Sequence, residues 1–391
     1  MAPDTSHSTV PAAPLQAPID RVRQRDFIMG LFLPIQDGGW TPSTSARGTE
    51  WSFGYNARLT QLAESLDFDL AFALAQWMGK GGYGGRMRYR EQSLDPLTVT
   101  AGLASLTSRM LLISTVHILY GWHPLHIANF GATLDDMTGG RWGINIVTGY
   151  KPGESAMFGM KMPEHDYRYE MAEEFTDVME RLWRQEDASG APGNLTFQGR
   201  FWHGTESFVS PKPRFGRPVI VAAGSSGAGV DFAARRCDLM FVTSPGGSDP
   251  AKAIESLGPH IARIKERAAH YGRQLRCIVN PHIICRDTEQ EARRYRDHIL
   301  AGEDDEAVDS FMASLLGGDT RSWRGHERTS WALGGNVQVV GSPEQVVDWM
   351  VKLKQAGCDG VQLNFFDFET DLRYFGERVL PLLKQAGLRE A

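Results

Sequence analysis

Eight times between Phe27 and residue 387 a short apolar run is followed by a longer stretch of helical character, and no other feature narrows the fold as far. The runs begin at Phe27 (FIMGLFL), Leu70 (LAFAL), Met110 (MLLISTV), Trp142 (WGINIV), Val219 (VIVAAG), Leu239 (LMFVT), Arg276 (RCIVNPHII) and Gly360 (GVQLNFF). Runs this short and uniformly apolar suit strands buried on both faces. Helix-like stretches follow at 55–66, 95–107, 123–138, 167–186, 226–236, 250–271, 288–301 and 370–387. A further helix runs from Pro343 toward Gly357, with Ser342 placed to cap it, Pro343 at its first position and Gly357 just past its end. Alternating strands and helices predict a parallel sheet with helices outside it. Eight such units close into an α/β fold of the (β/α)8 TIM-barrel type with insertions, and a doubly wound open sheet is the alternative.

The chain is longer than the ~250 residues typical of such a barrel. The excess falls into a loop at 34–54, a Gly-rich loop at 76–93, the hairpin-like NLTFQGRFWHG within 187–217, and a polar excursion at about 303–336. Residues 1–26 are rich in Pro, Ser and Ala and then strongly charged, without the apolar core of a signal peptide, which predicts a disordered tail ahead of a single domain over 27–391. Four cysteines (Cys237, Cys277, Cys285 and Cys358) show no CxxC spacing, so reduced buried thiols in a cytoplasmic protein are expected. A net charge of −6 argues against nucleic acid, and no apolar run approaches a membrane span. No HExxH or similar histidine spacing suggests a metal.

Function in such a barrel gathers at the C-terminal ends of the strands. Those ends carry a polar set: His117, Asn145, Thr148, Ser225, Ser226, Thr243, Ser244, His282 within strand seven, and Asp367 after strand eight. The loops after strands two and three add Gln76, Trp77, Trp122 and His123. Asn145 interrupts a buried run, and a buried amide must find partners. AAGSSGAG (222–229) ends a strand and opens a helix, and exposed N–H groups there make a site for a phosphate; Ser226 serves equally well as a helix cap. Its glycines miss the dinucleotide spacing.

The segment TGGRWGINIVTGYKPGESAMFGMKMPEHDYRYEMAEEF (138–175) resembles the bacterial luciferase-like, flavin-dependent monooxygenases. Their NxVTG strand and RYxxxxEF helix are met here by Asn145, Val147, Thr148, Gly149, Arg168, Tyr169, Glu174 and Phe175, and the resemblance extends over roughly residues 27–388. It implies an FMN site drawn from Gln76, Trp77, Asn145, Thr148, Glu154, Arg168, Tyr169, Gly224, Ser225 and Ser226. The phosphate would lie between the 223–226 turn and the Arg168–Tyr169 pair. The resemblance implies catalytic roles for Asn145, His117, His282 and Trp122. It also implies reduced FMN delivered by a separate NAD(P)H:flavin reductase, O2 as co-substrate, and a homo-oligomer, dimer or tetramer. An F420-dependent dehydrogenase and a non-catalytic flavin-binding barrel are the alternatives.

Within the family, GWHPLHIANFGATLDDMTGGR (121–141) is similar to a segment of dimethylsulfone monooxygenases, while LNFFDFETDLRYFGERVLPLL (363–383) is similar to pyrimidine monooxygenases. The alkanesulfonate branch carries arginine, tyrosine and histidine where this chain has Asn280, Phe365 and Asp367. Those departures predict a neutral small substrate, and the GWHP segment puts a sulfone ahead of a pyrimidine-type ring. Arg321, Arg324, His326 or Arg328 in the excursion are the residues that could restore an anion site. The excursion and the loop 79–88 are expected to close over the substrate.

Overall fold

A computed structural model describes residues 16–184, 193–224, 226–316 and 327–390. Twelve strands occur among them: β1 (Ile28–Phe32), β2 (Leu70–Ala73), β3 (Leu111–His117), β4 (Trp142–Val147), β5 (Leu195–Gln198), β6 (His203–Ser207), β7 (Val219–Ala223), β8 (Leu239–Val242), β9 (Arg276–Val279), β10 (Pro281–Cys285), β11 (Val337–Gly341) and β12 (Gly360–Leu363). Eight of them close a parallel barrel in the order β1-β12-β9-β8-β7-β4-β3-β2. Every residue of β1, β2, β3, β8 and β12 is buried, as apolar runs flanked by helices require. The expected (β/α)8 barrel is therefore the observed architecture, and β5 and β6 form the anticipated hairpin.

The N-terminal face of the barrel is pinned by three aspartates, each immediately preceding a strand. Asp69, ahead of β2, accepts the backbone N–H of Met29 on β1 at 2.8 Å. Asp238, ahead of β8, accepts Ile220 N–H on β7 at 3.0 Å. Asp359, ahead of β12, accepts Cys277 N–H on β9 at 2.8 Å. Each also meets arginine: Asp69 binds Arg25 at 2.9 Å and Arg389 at 2.6 Å, Asp238 binds Arg23 and Arg217 at 2.6 and 2.7 Å, and Asp359 binds Arg276 at 3.1 Å. Charged hydrogen bonds to a buried carboxylate are the strong kind, and each carboxylate here ties one strand to its neighbour.

Four expectations are corrected. Part of the presumed tail is ordered: Pro18–Gln24 forms a helix with Pro18 at its start and Val22 fully buried, and Arg23 and Arg25 are held by the aspartates just described. The run at 276–284 is two strands, because Pro281 has no N–H for the ladder and Asn280 breaks the line. His282 thus sits outside the barrel wall, on β10, which pairs in parallel with β11. The sequence reading had no strand at β11. The excursion is also not a structureless loop. Its described part contains the helix Asp305–Leu316, whose Ala307, Val308, Phe311 and Leu315 form one apolar stripe, and the helix Arg328–Ala332. Both pack on Tyr83 and Tyr89 of the loop after β2. Arg321, Arg324 and His326 lie outside the described residues.

The helix Pro343–Gln355 carries the cap read from sequence: Ser342 accepts from Gln345 N–H, and Gln345 returns a bond to the Ser342 backbone. No helix among the described residues is long and apolar enough to cross a membrane.

The pinned face carries a measurable share of stability. Replacing Asp69 with Ala strands two buried arginines, and urea unfolding is expected to show a loss of roughly 3–5 kcal/mol. Asp67→Ala removes only a partly exposed partner of the same arginines and should cost less than about 1 kcal/mol. Equal losses for the two variants would mean that the pin at Asp69 does not hold the barrel.

Candidate active site

At the opposite face the strand ends surround a cavity floored by aromatic rings. Phe32 meets Trp40 edge-on at 4.0 Å and Phe72 at 5.0 Å, and Phe72 meets Phe241 at 4.6 Å. All four line the cavity. Above this apolar floor the wall is polar. Gln76, His117, Asn145, Thr148, Glu154, Arg168, Tyr169, Gly224 and Ser226, all singled out in the sequence, face the cavity together with Thr243, Ser244 and Asn280. Ser225 lies outside the described residues.

Register explains the position of Asn145. It lies on β4 between Thr115 of β3 and Val221 of β7. Its Nδ2 donates to Thr115 Oγ1 at 3.0 Å, while its Oδ1 is buried without a partner. An orphaned acceptor in a wall strand is uncommon and demands an explanation. It is not alone: Ser244 Oγ, Asn280 Oδ1 and His117 Nδ1 are likewise buried and unpartnered on the same cavity.

His117 closes β3. Its ring stands edge-on to Tyr120 at 4.9 Å, and its Nδ1 approaches Glu154 Oε2 at 3.5 Å without the alignment of a hydrogen bond. Burial pushes its pKa down to about 4, with Glu154 opposing the shift and Lys151 adding to it, so the imidazole is neutral at physiological pH. Glu154 comes from the short helix Pro152–Met157 that follows β4, and it binds Lys151 Nζ at 3.1 Å. Lys151 Nζ also donates to Tyr83 Oη at 2.8 Å. Burial opposes the Lys151 charge, but Tyr150, Tyr83 and Glu154 together hold its pKa above the usual lysine range. Gly149, at φ 76°, lets Tyr120 come close: a Cβ there would lie 2.5 Å from the tyrosine oxygen.

The 222–229 turn is built around a tyrosine. Ser226 caps the helix Gly227–Arg236, its Oγ accepting from Gly229 N–H at 3.1 Å. The Tyr169 hydroxyl fills the space beside Gly229, where a Cβ would lie 2.7 Å from it. Arg168 is buried one residue earlier on the helix His165–Arg184. The helix start, Arg168 and Tyr169 thus converge on one corner of the cavity.

Three expected site residues are elsewhere. Trp77 is substantially exposed and rests edge-on against Phe158 at 4.9 Å. Trp122 packs on Phe130, outside the cavity, and its neighbour His123 caps the helix Pro124–Thr138 through Nδ1. His282 is fully buried, with neither ring nitrogen partnered, and does not reach the cavity. Phe365 and Asp367 also fail to line it.

Sequence reasoning missed Arg90, Lys151 and Trp40. Arg90 is almost wholly buried, bonded through Nε to Gly39 O at 3.0 Å and through Nη1 to Gln76 Oε1 at 3.2 Å. Its φ of 60° belongs to the left-handed region, where a residue with a side chain is strained. The Gly-rich loop GGYGGRMRYR signalled unusual backbone, but nothing in it marked which arginine turns inward.

Residues 28–360 match the luciferase-like monooxygenase family model. The FMNH2-dependent dimethylsulfone monooxygenase of Pseudomonas fluorescens is 32% identical over 366 residues, covering 90% of this chain and 93% of that protein. The pyrimidine monooxygenase RutA of Serratia proteamaculans is 33% identical over 366 residues, covering 91% and 95%. Among solved structures, a riboflavin lyase with modified FMN and riboflavin superposes with a TM-score of 0.81 at 23% identity over 93% of this chain and 92% of that one, a likeness of fold. The chain belongs to the luciferase-like monooxygenase family.

The sealed histidine gives a pH signature. Burial lowers the His282 pKa from 6.5 to about 4, with Asn364 opposing. Between those values the unfolded chain binds a proton that the folded chain refuses, so this stability is complete above pH 6.5 and declines as pH falls toward 4. The loss amounts to roughly 3 kcal/mol. Urea unfolding at pH 7 and pH 4.5 should show a smaller acid loss for His282→Leu than for the parent chain. Identical losses would mean that a hydrogen-bond acceptor at His282 cancels the cost of burying its charge.

Proposed function

We propose that this member of the luciferase-like monooxygenase family is the oxygenase of a two-component system. Reduced FMN comes from a separate NAD(P)H:flavin reductase, O2 is co-substrate, and the compound oxidised is a small organosulfur molecule such as a sulfone. The observation that carries the reading is the set of unpartnered polar atoms (Asn145 Oδ1, Ser244 Oγ, Asn280 Oδ1) converging above an aromatic floor beside a helix N-terminus. Such a wall fits a ligand that is planar and apolar in part and bears its own donors and a phosphate.

The residues present suit FMN. The N-terminus of the helix Gly227–Arg236, with Arg168 and Tyr169, would hold the phosphate, where orphan N–H groups and a guanidinium favour negative charge. Asn145 Oδ1 can only accept, so it would take an N–H of the flavin ring and fix that ring against β4. Bound reduced FMN supplies the electrons that activate O2. His117, neutral on the cavity wall beside Glu154, would orient a bound group by hydrogen bonding. The phenyl rings of Phe32, Phe72 and Phe241 exclude water from beneath the reacting centre. The chain has no dinucleotide fingerprint of its own, which favours a partner reductase.

A pyrimidine-type substrate is the second reading, favoured by the relative of that activity at 33% identity. Incubating the purified chain with reduced FMN, O2 and dimethyl sulfone, an alkanesulfonate or uracil distinguishes the two. Turnover without O2 but with F420 would replace both. Asn145→Ala is expected to lower turnover on the order of 100-fold while changing the melting temperature little. Full activity with a lowered melting temperature would make Asn145 a structural residue. Ser226→Asp should raise the dissociation constant for reduced FMN by roughly tenfold or more, since it sets like charge against the phosphate.

A further inference from the structure

We infer that Lys151 and Glu154 are positioning residues that hold His117 in one tautomer, with Nε2 presented to the cavity as an acceptor for an N–H that flavin carries only when reduced. The inference rests on the cavity being a reduced-FMN site, and it assigns to this relay the discrimination between reduced and oxidised cofactor.

The two ring nitrogens of His117 stand in different surroundings. Nδ1 is sealed from solvent without a hydrogen-bond partner, and Glu154 Oε2 lies 3.5 Å from it. Nε2 is not sealed, and the ring lines the cavity at the end of β3. An ionised carboxylate only accepts, so it would repel a bare Nδ1 lone pair facing it. The proton of the neutral ring therefore belongs on Nδ1, which leaves Nε2 as a lone-pair acceptor. A contact of 3.5 Å is long for a hydrogen bond, as such contacts often are before a ligand tightens a site.

Lys151 determines what Glu154 can be. Its Nζ lies 3.1 Å from Glu154 Oε1, with both side chains largely buried, and it also donates to Tyr83 Oη at 2.8 Å. Tyr120 Oη adds a donor to Glu154 Oε2 at 3.4 Å. A buried carboxylate stripped of its cation takes up a proton in preference to staying charged. Protonated Glu154 would be a donor facing Nδ1, which would move the ring proton to Nε2 and turn that acceptor into a donor. The tautomer of His117 thus depends on an ammonium bonded to Glu154 and not to the ring.

An acceptor at Nε2 reads the redox state of a flavin. Reduction places a hydrogen on a ring nitrogen that is an acceptor in the oxidised form. Asn145 Oδ1, on the neighbouring strand, is a second acceptor, available to the ring N–H that both forms share. His117 Nε2 would then meet a donor on reduced flavin and a lone pair on oxidised flavin. A purely structural ion pair explains the Lys151–Glu154 contact. It gives no reason for setting the carboxylate against the sealed edge of a cavity-wall imidazole.

Anaerobic titration of the full chain with reduced and with oxidised FMN tests the relay. The parent chain should bind the reduced form roughly threefold or more tighter. His117→Phe and Lys151→Met should each cut that preference by roughly 3- to 10-fold, while Lys151→Arg keeps it. The same loss reads as a fall in the potential of the bound flavin, about 30 mV for a tenfold change. Lys151→Met should change the preference no further in a His117→Phe background, because it acts through the ring. A loss of equal size in both backgrounds overturns the relay and makes Lys151 a direct partner of the flavin. Nitrogen-15 spectra of the parent chain, with His117 assigned by its absence from His117→Phe, should show the proton on Nδ1. A proton on Nε2 overturns the assignment even if no variant at Lys151 folds, and so does a parent chain that binds oxidised FMN as tightly as reduced FMN. Failure of the parent chain to bind either form sinks the oxygenase reading itself, a result separable from the others.

Discussion

Closing eight strands into a ring requires that each strand be held in register with a neighbour it meets late in the chain, and here buried carboxylates do the holding. Asp69, Asp238 and Asp359 each reach from the foot of one strand to a backbone N–H of the next. Asp69 also gathers both ends of the described chain, through Arg25 and Arg389. A charge network of this density is costly to form and more costly to break, so it fixes one register. The consequence is a division of labour along the barrel axis. One face pairs its charged groups with one another, and the other leaves polar groups open to the cavity.

That open face works because its neighbours are tightly packed. The helix Asp305–Leu316 sends Phe311 and Leu315 to the cavity while Phe311 also meets Tyr83 at 5.1 Å and Tyr89 at 5.7 Å. Tyr83 in turn accepts from Lys151, the partner of Glu154 beside His117. A single continuous set of contacts therefore runs from the roof of the cavity to the imidazole at its wall. Rigid support of this kind is what allows Asn145 and Asn280 to keep unpaired oxygens without rearranging.

Much of this was legible in the amino-acid sequence, for a physical reason. Strands buried on both faces are written as bare apolar runs, and six of the eight barrel strands begin at the residue read, namely Leu70, Trp142, Val219, Leu239, Arg276 and Gly360. Phe27 and Met110 precede their ladders by one residue because they are buried without pairing, and a sequence reports burial more directly than hydrogen bonds. The strand β11 escaped because its alternating burial over five residues, between Asn336 and Ser342, is too short a signal. The break is hidden in sequence because apolar residues flank 280–282 on both sides, which makes 276–284 read as one strand. Arg90 was invisible for a different reason: its direction is set by a backbone angle and by Trp40, fifty residues earlier in the chain. Polar residues at strand ends could be listed from sequence; which of them point inward depends on contacts that sequence does not order.

The small ribbon formed by β10 and β11 has a consequence for how such a chain can diverge. It pairs with itself along Pro281–Cys285 and Val337–Gly341, and it is tied to the end of β12 where Pro281 O accepts from Asn364 N–H and Ile283 N–H donates to Asn364 O. The stretch between its two strands is therefore mounted on a hydrogen-bonded clasp beside the barrel wall. Extending that stretch changes neither the strand number nor the stagger of the barrel, and doubling a loop costs only about 0.6 kcal/mol in closure entropy. The clasp acts as a socket for interchangeable cassettes, through which descendants of one ancestor can acquire new appetites while inheriting the same ring unchanged.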